Sequence, residues 1–272
     1  MSPGAAVVHL TKTNEITTLA SLEHINAAVR RKAVTTLGQS TLVGDAEAVG
    51  AVLKCLVRDN DAEVKRASIR ALQRLAPRGD PAVIAALCAK LQDTDGTVRQ
   101  AAVVALESVA TTRGDSATVA GVLAQLQARA PVARASAMEA LGRVAARGDT
   151  YVTALVQRYL DSDCFAMRHA AIGAFAQVAD IPTAIDRLQH SEKPIVRLAG
   201  MCSLGWASGA GDVEANAIVE DYLQDPDPEV RRVAAAVVEA KNRVAVRDTF
   251  SGEGFEEEAQ SPGAPFQLTQ PA

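Results

Sequence analysis

The chain has 272 residues, of which 48% are hydrophobic and only 3% aromatic. That length holds one or two ordinary domains or a single repeat array, with enough apolar material for a sizeable core. Because much of the apolar content is alanine and valine, closely packed helices are favoured over a wide ligand pocket. No apolar run approaches the roughly 20 residues that cross a bilayer, and the first residues lack the pattern of a secretory signal, so we expect neither.

Charge and cysteine spacing exclude further classes of protein. The formal net charge is −4, but residues 248–272 hold five acids and no lysine or arginine, so the remainder carries +1. Nucleic-acid-binding proteins usually show a strong basic excess, so we predict no nucleic-acid partner. The cysteines form no CxxC pair, which argues against a zinc site and indicates buried thiols in the cytoplasm or another reducing compartment. They are Cys55, Cys88, Cys164 and Cys202.

The sequence repeats itself about every 34 residues. "DNDAEVKRASIRALQRL" begins at Asp59, and "DTDGTVRQAAVVALESV" begins at Asp93. After each anchor, the next residue is basic, the fourth is small and the eighth is large and apolar. The offsets from the anchor to the small and large residues lie on one face of a helix, so each repeat is predicted to contain a helix, helix B, buried along that face. The anchors are Val29, Val64, Val98, Ala133, Met167, Val196 and Val230.

A second helix, helix A, is predicted to precede helix B. Glycine suits the left-handed end of the previous helix, and aspartate is a favoured N-cap for the next one. Gly-Asp pairs stand at 44–45, 79–80, 114–115, 148–149 and 211–212. Helix A is predicted to end at a large apolar residue seven before the anchor, which is Leu22, Val57, Leu91, Leu126, Leu160 or Leu223.

An acidic turn is predicted to join helix A to helix B in four repeats. Its aspartates are predicted to cap helix B and to meet the basic residue after the anchor, in the same repeat or the next. The resulting ladder is interpreted as structural. These aspartates are Asp59 and Asp61, Asp93 and Asp95, Asp161 and Asp163, and Asp225 and Asp227.

One A–B pair is too thin to bury its apolar face alone, so stacked pairs are predicted to share one core. The predicted fold is an all-α, right-handed α-α superhelix of about seven helix pairs. The repeats are predicted to span residues 13–247, between an N-terminal arm at 1–12 and a flexible acidic tail at 248–272.

The motif GD…L…DxDxxVRxxAxxAL resembles a HEAT-type repeat. It is most similar to the short repeats of the lyase subunits that attach bilin chromophores to phycobiliproteins. The resemblance implies an α-solenoid over nearly the whole repeat region. It implies little about activity, because the same short repeat occurs in many scaffold proteins, and no lyase active-site residue is carried over.

The repeat is interrupted between Met167 and Val196, where the step falls to 29 residues and the Gly-Asp opening is missing. We expect helix A of that repeat to be shortened by about one turn. Two interpretations stay open: a tolerated deletion that changes curvature, or a notch where a partner docks.

The exposed side of helix B, at offsets 2, 6 and 10 from the anchor, is predicted to form the concave, partner-binding surface. In repeat two it carries three arginines at i, i+4 and i+8, a stripe suited to an acidic peptide. In repeat six it is apolar and includes the only tryptophan of the chain. A solvated helix face and a core tryptophan are the alternatives. The predicted binding residues are Arg31, Arg66, Arg70, Arg74, Leu198 and Trp206.

The acidic tail carries apolar residues that a purely solvating segment would not need. Phe250, Phe255 and Phe266 are predicted to contact a partner or the chain's own basic stripe.

No catalytic motif is evident. The four histidines form no HExxH pair, and the chain has neither a phosphate loop nor a GxSxG elbow. We therefore predict a non-catalytic protein-binding scaffold, or a subunit of a larger assembly, with no cofactor, no metal and no membrane insertion. The alternative is a bilin-lyase-like protein that binds or attaches a chromophore, which rests on the family resemblance.

Overall fold

The computed structural model describes residues 18–207 and 213–250, with side chains as far as residue 242. Within these ranges all regular structure is helical, and no helix is long and apolar enough to cross a bilayer. The chain divides into two compact units, Met1–Val144 (unit 1) and Ala145–Ala272 (unit 2).

In unit 1 a helical turn at residues 18–21 is followed by alternating B and A helices. The B helices α1, α3, α5 and α7 pack side by side, and the A helices α2, α4 and α6 each pack on the B helix that follows. The bounds are α1 Ala27–Ser40, α2 Ala46–Arg58, α3 Ala62–Leu75, α4 Pro81–Lys90, α5 Gly96–Val109, α6 Ser116–Gln125 and α7 Pro131–Val144.

Unit 2 repeats the same plan. The B helices α9, α11 and α13 pack in sequence order, and the A helices α8, α10 and α12 pack on them. The bounds are α8 Thr150–Gln157, α9 Phe165–Val178, α10 Ile181–His190, α11 Pro194–Ala207, α12 Val213–Asp221, a 3₁₀ turn Tyr222–Gln224, and α13 Pro228–Phe250. Helix α13 therefore passes the predicted start of the tail at residue 248.

Every B helix begins two residues before its predicted anchor, which confirms the repeat alignment and the all-α solenoid class. The small residue four after the anchor is buried in all seven B helices. The large residue eight positions after the anchor is fully buried in the first six B helices, and in the seventh, at Val238, it is half-buried. The residue four after the anchor is small because a neighbouring helix approaches closely there: a Cβ at Gly200 would lie 2.9 Å from the Ala184 carbonyl oxygen.

Four of the predicted glycines form left-handed turns and also donate hydrogen bonds to the next B helix. They adopt positive φ between 79° and 88°, and the following aspartate caps helix A. Each glycine N–H also donates to the last carbonyl of the next B helix, at 2.6–2.7 Å. One glycine thus satisfies a carbonyl that a helix end leaves unpaired. The four are Gly44, Gly79, Gly114 and Gly148, whereas Gly211 and Asp212 lie outside the described residues.

Gly79→Ala is expected to lower the free energy of unfolding by about 1–2 kcal/mol, because a left-handed alanine is strained. Its Cβ would also lie 2.5 Å from the γ-methyl of Thr111. Gly44→Ala is the control, since it shares the positive φ but meets only Pro77, at 3.9 Å. Urea unfolding followed by far-UV circular dichroism measures both. Adding Thr111→Ser to Gly79→Ala should recover the difference, and no recovery would contradict the clash.

The basic residues that directly follow the anchors stabilise the turns, as the regularity of their positions predicted. All six arginines donate from Nη1 to the carbonyl oxygen six residues earlier, in the turn that enters the same helix. Three basic residues also pair with an aspartate of the next repeat, which confirms that part of the prediction. The pairs are Arg30–Asp59, Lys65–Asp93 and Arg197–Asp225.

The aspartate caps are confirmed at Asp61, Asp95 and Asp227, whose carboxylates accept the first free N–H groups of helix B. The prediction is wrong for Asp163. In that repeat the chain runs one residue out of register, so Cys164 occupies the N-cap position and its side chain makes no capping hydrogen bond.

The predicted end of helix A at Val57 is one residue early, since α2 continues to Arg58; Val57 is 60% exposed and Leu56 is buried. One further expectation is wrong. The 29-residue step does not shorten helix A, since α10 has 10 residues, as many as α4 and α6. The missing residues come from the connections: Asp180 caps α10 only two residues after α9 ends.

Candidate functional site

A groove of about 660 Å³ opens on the B-helix face of unit 1. Ten of its eleven lining residues come from α1 and α3, and five of these stand at the offsets that the sequence predicted to be exposed. We call it the arginine groove. It is lined by Arg31, Thr35, Gly38, Gln39, Glu63, Ala67, Arg70, Ala71, Gln73, Arg74 and, from α5, Ser108.

The floor of the arginine groove is made of small residues. A Cβ at Gly38 would lie 2.9 Å from the Cβ of Ala71, so α1 and α3 approach closely at this point. Ala67 and Ala71 continue the floor along α3. Close helix contact below and long polar side chains above leave a shallow trough that an extended or helical segment could enter.

One glutamate pairs with the arginines at one end of the groove. The carboxylate of Glu63 lies 2.6 Å from Nη1 of Arg66 and 3.9 Å from Nη1 of Arg31. All three side chains are between 31% and 51% exposed, so these are surface ion pairs of modest strength.

The other end of the groove keeps its charge. Arg70 and Arg74 are exposed, and in the described part of the chain neither has an ion-pair or hydrogen-bond partner. Beside them, Nε2 of Gln73 donates to Oγ of Ser108 at 2.9 Å. This end therefore offers two free guanidinium groups beside neutral polar side chains.

The structure separates the predicted binding residues into two sets. Arg31, Arg70 and Arg74 line one groove in unit 1, with Arg66 beside it. Leu198 and Trp206 belong to unit 2.

The expected exposure of Leu198 is wrong. Leu198 is 5% exposed and Cys202, one turn later, is 4% exposed. Helix α11, on which α9, α10 and α13 pack, is buried at every residue from Leu198 to Leu204. Trp206, near the end of α11, keeps 39% of its surface exposed. In the tail, Phe255 and Phe266 lie outside the described residues, as does the side chain of Phe250.

Several lining residues were not predicted. Two of them, Glu63 and Gln73, stand at offsets outside the predicted exposed set. Ser108 stands at offset 10, but in the next repeat. The i,i+3 spacing of Glu63 and Arg66 was a readable signal for their pairing. The approach of Arg31 to Glu63 had no such signal, because it joins two helices.

The thiols behave as buried structural groups. Cys55, Cys88 and Cys202 are buried and unbridged, as predicted, while Cys164 is partly exposed. Burial raises the pKa of Cys88 to about 11 and that of Cys202 to about 12, so both are protonated near neutral pH. In the ranges 18–207 and 213–250, no group of three or more His, Cys, Asp and Glu residues is placed to hold a metal ion.

A second hollow of about 760 Å³ lies beside α2, bordered by Leu22, His24, Lys54 and Arg58. It also borders Leu19, next to the point where the described part of the chain begins.

The comparison with protein families covers the part of the chain that holds most of this groove. Residues 17–107 match the model for HEAT repeats. This segment is an array of HEAT repeats. The match confirms the resemblance read from the repeat columns, and it includes every residue that lines the groove except Ser108. No curated protein sequence gives a significant match.

Several solved structures are similar at low identity. The complex of CpcE and CpcF of phycocyanin lyase from Nostoc sp. PCC7120 is 20% identical, with 83% of this chain and 94% of that chain covered and a TM-score of 0.43. The archaeal HEAT-like repeats protein from Thermococcus onnurineus NA1 is 16% identical, with coverages of 88% and 92% and a TM-score of 0.44. Human deoxyhypusine hydroxylase is 16% identical, with coverages of 89% and 100% and a TM-score of 0.39. None of these similarities bears on activity, so bilin attachment stays a prediction from the family resemblance.

Proposed function

We propose that this chain is a non-catalytic, protein-binding HEAT-repeat protein, acting as a scaffold or as a subunit of a larger assembly. Its arginine groove binds an acidic segment of a partner protein. The observation that carries the proposal is the pair Arg70 and Arg74, exposed and without a partner among the described residues, above a floor of small side chains.

The chemistry of arginine supports an acidic ligand. A guanidinium group presents five donors in a planar fork that matches a carboxylate, and hydrogen bonds between two charged groups are stronger than neutral ones. The surrounding fold supports a rigid receptor. Arg70 and Arg74 stand on α3, whose buried face is anchored by Val64, Ile69 and Leu72, all fully buried. The helix that carries the two arginines is therefore held in place, and a ligand has to order only their side chains.

Trp206 is a second candidate contact, in unit 2. A partly exposed tryptophan is a common anchor in protein interfaces. The predicted contribution of the C-terminal tail, through Phe250, Phe255 and Phe266, is kept as part of this proposal.

Replacing both Arg70 and Arg74 by glutamine is expected to weaken partner binding about 10- to 100-fold, since two hydrogen bonds are lost and each contributes about 0.7–1.4 kcal/mol at an exposed site. The measurement is recovery of partners from the native source on immobilised wild-type and variant chains, followed by titration of the recovered partner. Folding should be unchanged, because neither arginine has a partner in the described structure.

The matched control replaces Arg78 and Arg129 by glutamine. Both are exposed arginines of unit 1 outside the groove, and the net charge changes equally. If the two double variants bind the partner alike, the arginine face of α3 is merely solvated and the groove is not the binding site.

A further inference from the structure

Glu63 sits where a carboxylate of the proposed ligand would sit. It lies in the first turn of α3, and its two oxygens face different arginines: Oε1 contacts Arg66 and Oε2 faces Arg31 on α1. The groove thus already holds one carboxylate, supplied by the chain itself.

From this arrangement we infer that Glu63 is an internal competitor that sets both the affinity of the arginine groove and the register of its acidic ligand. The inference rests on the proposed function. While Glu63 holds Arg31 and Arg66, the two arginines open to a ligand are Arg70 and Arg74. The occupant is an acidic segment of a partner protein, with two carboxylates placed to meet this pair.

The spacing of the free pair describes that segment. Arg70 and Arg74 are one helical turn apart, so their Cβ atoms are separated by about 6 Å. Alternate side chains of an extended peptide point to the same side about 7 Å apart. A sequence with acidic residues at every second position therefore matches the two guanidinium groups, and the neutral corner at Gln73 and Ser108 accepts a polar neighbour.

The competition is reversible because the internal pairs are weak. Glu63 is 49% exposed and Arg31 is 51% exposed, so water and salt compete for both groups. Removing the Glu63 charge frees two more arginines without disturbing a buried group. The same change would weaken binding if Glu63 merely positioned Arg66 for the ligand, so the sign of the effect decides between the two roles.

The test uses the full chain and a fluorescein-labelled octapeptide of alternating glycine and glutamate, titrated by fluorescence anisotropy at low salt. The same peptide with glutamine in place of glutamate is the probe control. Glu63→Gln is expected to bind the acidic probe about threefold to tenfold more tightly than wild type, with the difference shrinking at high salt. The double change of Arg70 and Arg74 to glutamine is expected to abolish the preference for the acidic probe.

Glu107→Gln is the matched variant. Glu107 is an exposed acid of unit 1 that pairs with Arg143 at 3.1 Å outside the groove, so the change in net charge is identical. Equal tightening by Glu63→Gln and Glu107→Gln would show a general charge effect and overturn the inference. Unchanged or weaker binding by Glu63→Gln would also overturn it.

These outcomes are distinct from failure of the proposed function. If wild type does not prefer the acidic probe to the glutamine probe, the proposed function fails. If it does, and only the Arg70 and Arg74 changes matter, the proposed function stands without the competitor.

A last variant tests the alternative occupant, the chain's own tail, by replacing Glu253, Glu256, Glu257 and Glu258 with glutamine. Tightening equal to that of Glu63→Gln would assign the groove to the tail and overturn the partner segment. Wild-type affinity would support the partner segment.

Discussion

Asp225→Ala is expected to lower the free energy of unfolding of unit 2 by about 3–5 kcal/mol, the usual cost of breaking a buried ion pair by removing one partner. Both carboxylate oxygens of Asp225 accept from the guanidinium of Arg197, at 2.8 and 2.9 Å. The side chains are only 3% and 11% exposed. The same carboxylate accepts the N–H of Asp227, so its loss also loosens the turn that enters α13.

Trp206 makes the measurement direct, because it is the only tryptophan of the chain and lies in unit 2. Its fluorescence during urea unfolding reports the stability of that unit. Asp161→Ala is the control, since Asp161 pairs with Lys193 at the surface, where the two side chains are 53% and 62% exposed. It is expected to cost no more than about 1 kcal/mol. Equal losses in the two variants would contradict the importance of burial.

The same carboxylate predicts the acid sensitivity of unit 2. Burial alone would raise the pKa of Asp225, but the hydrogen bonds from Arg197 and the Asp227 N–H outweigh it, and the pKa lies below its ordinary value of 3.8. Because the folded-state pKa is the lower one, the stabilisation is complete above the ordinary value and is lost as the pH falls through the folded-state value. Asp225→Ala should therefore show a smaller loss of stability than wild type as the pH falls below about 4.

Gly200→Ala is expected to destabilise unit 2 by about 2–3 kcal/mol, because the new Cβ overpacks the contact between α10 and α11. It would lie 2.9 Å from the carbonyl oxygen of Ala184 and 3.0 Å from Cγ of Leu188. The first of these is backbone, so relief requires a helix to move.

Gly173→Ala is the matched change on the neighbouring B helix. A Cβ at Gly173 meets nothing within 4 Å, so the helix gains from the better propensity of alanine, by up to about 1 kcal/mol. Urea unfolding followed by Trp206 fluorescence compares the two variants. Opposite signs are expected, and a loss at Gly173 as large as that at Gly200 would show that the approach of α10 is not the cause.

The local sequence pattern was enough to predict the helices and their buried faces. Residues four and eight after an anchor lie on one side of any helix, so the small and large columns identified the core without knowledge of neighbours. The caps were equally readable, since Asp45 or Asp61 satisfies backbone groups only two or three residues away. In the repeat that runs one residue out of register, the prediction that Asp163 caps helix B was wrong.

The arginine groove was only partly readable. The exposure of Arg70 and Arg74 followed from their offsets, because no apolar residue shared that side of α3. The role of Glu63 depends on Arg31, a residue 32 positions earlier on another helix, and sequence spacing carries no information on that distance.

By itself, then, the sequence determined that this protein is an array of helix pairs with a buried small-residue column, because those features follow from the helical period and from short-range capping. Only the tertiary structure decided which exposed-looking positions stay exposed. Leu198 and Arg66 share the same offset, yet Leu198 is 5% exposed while the side chain of Arg66 is 31% exposed. The division into two units and the approach of Glu63 to Arg31 were decided in the same way, because both depend on contacts between helices that are distant in the chain.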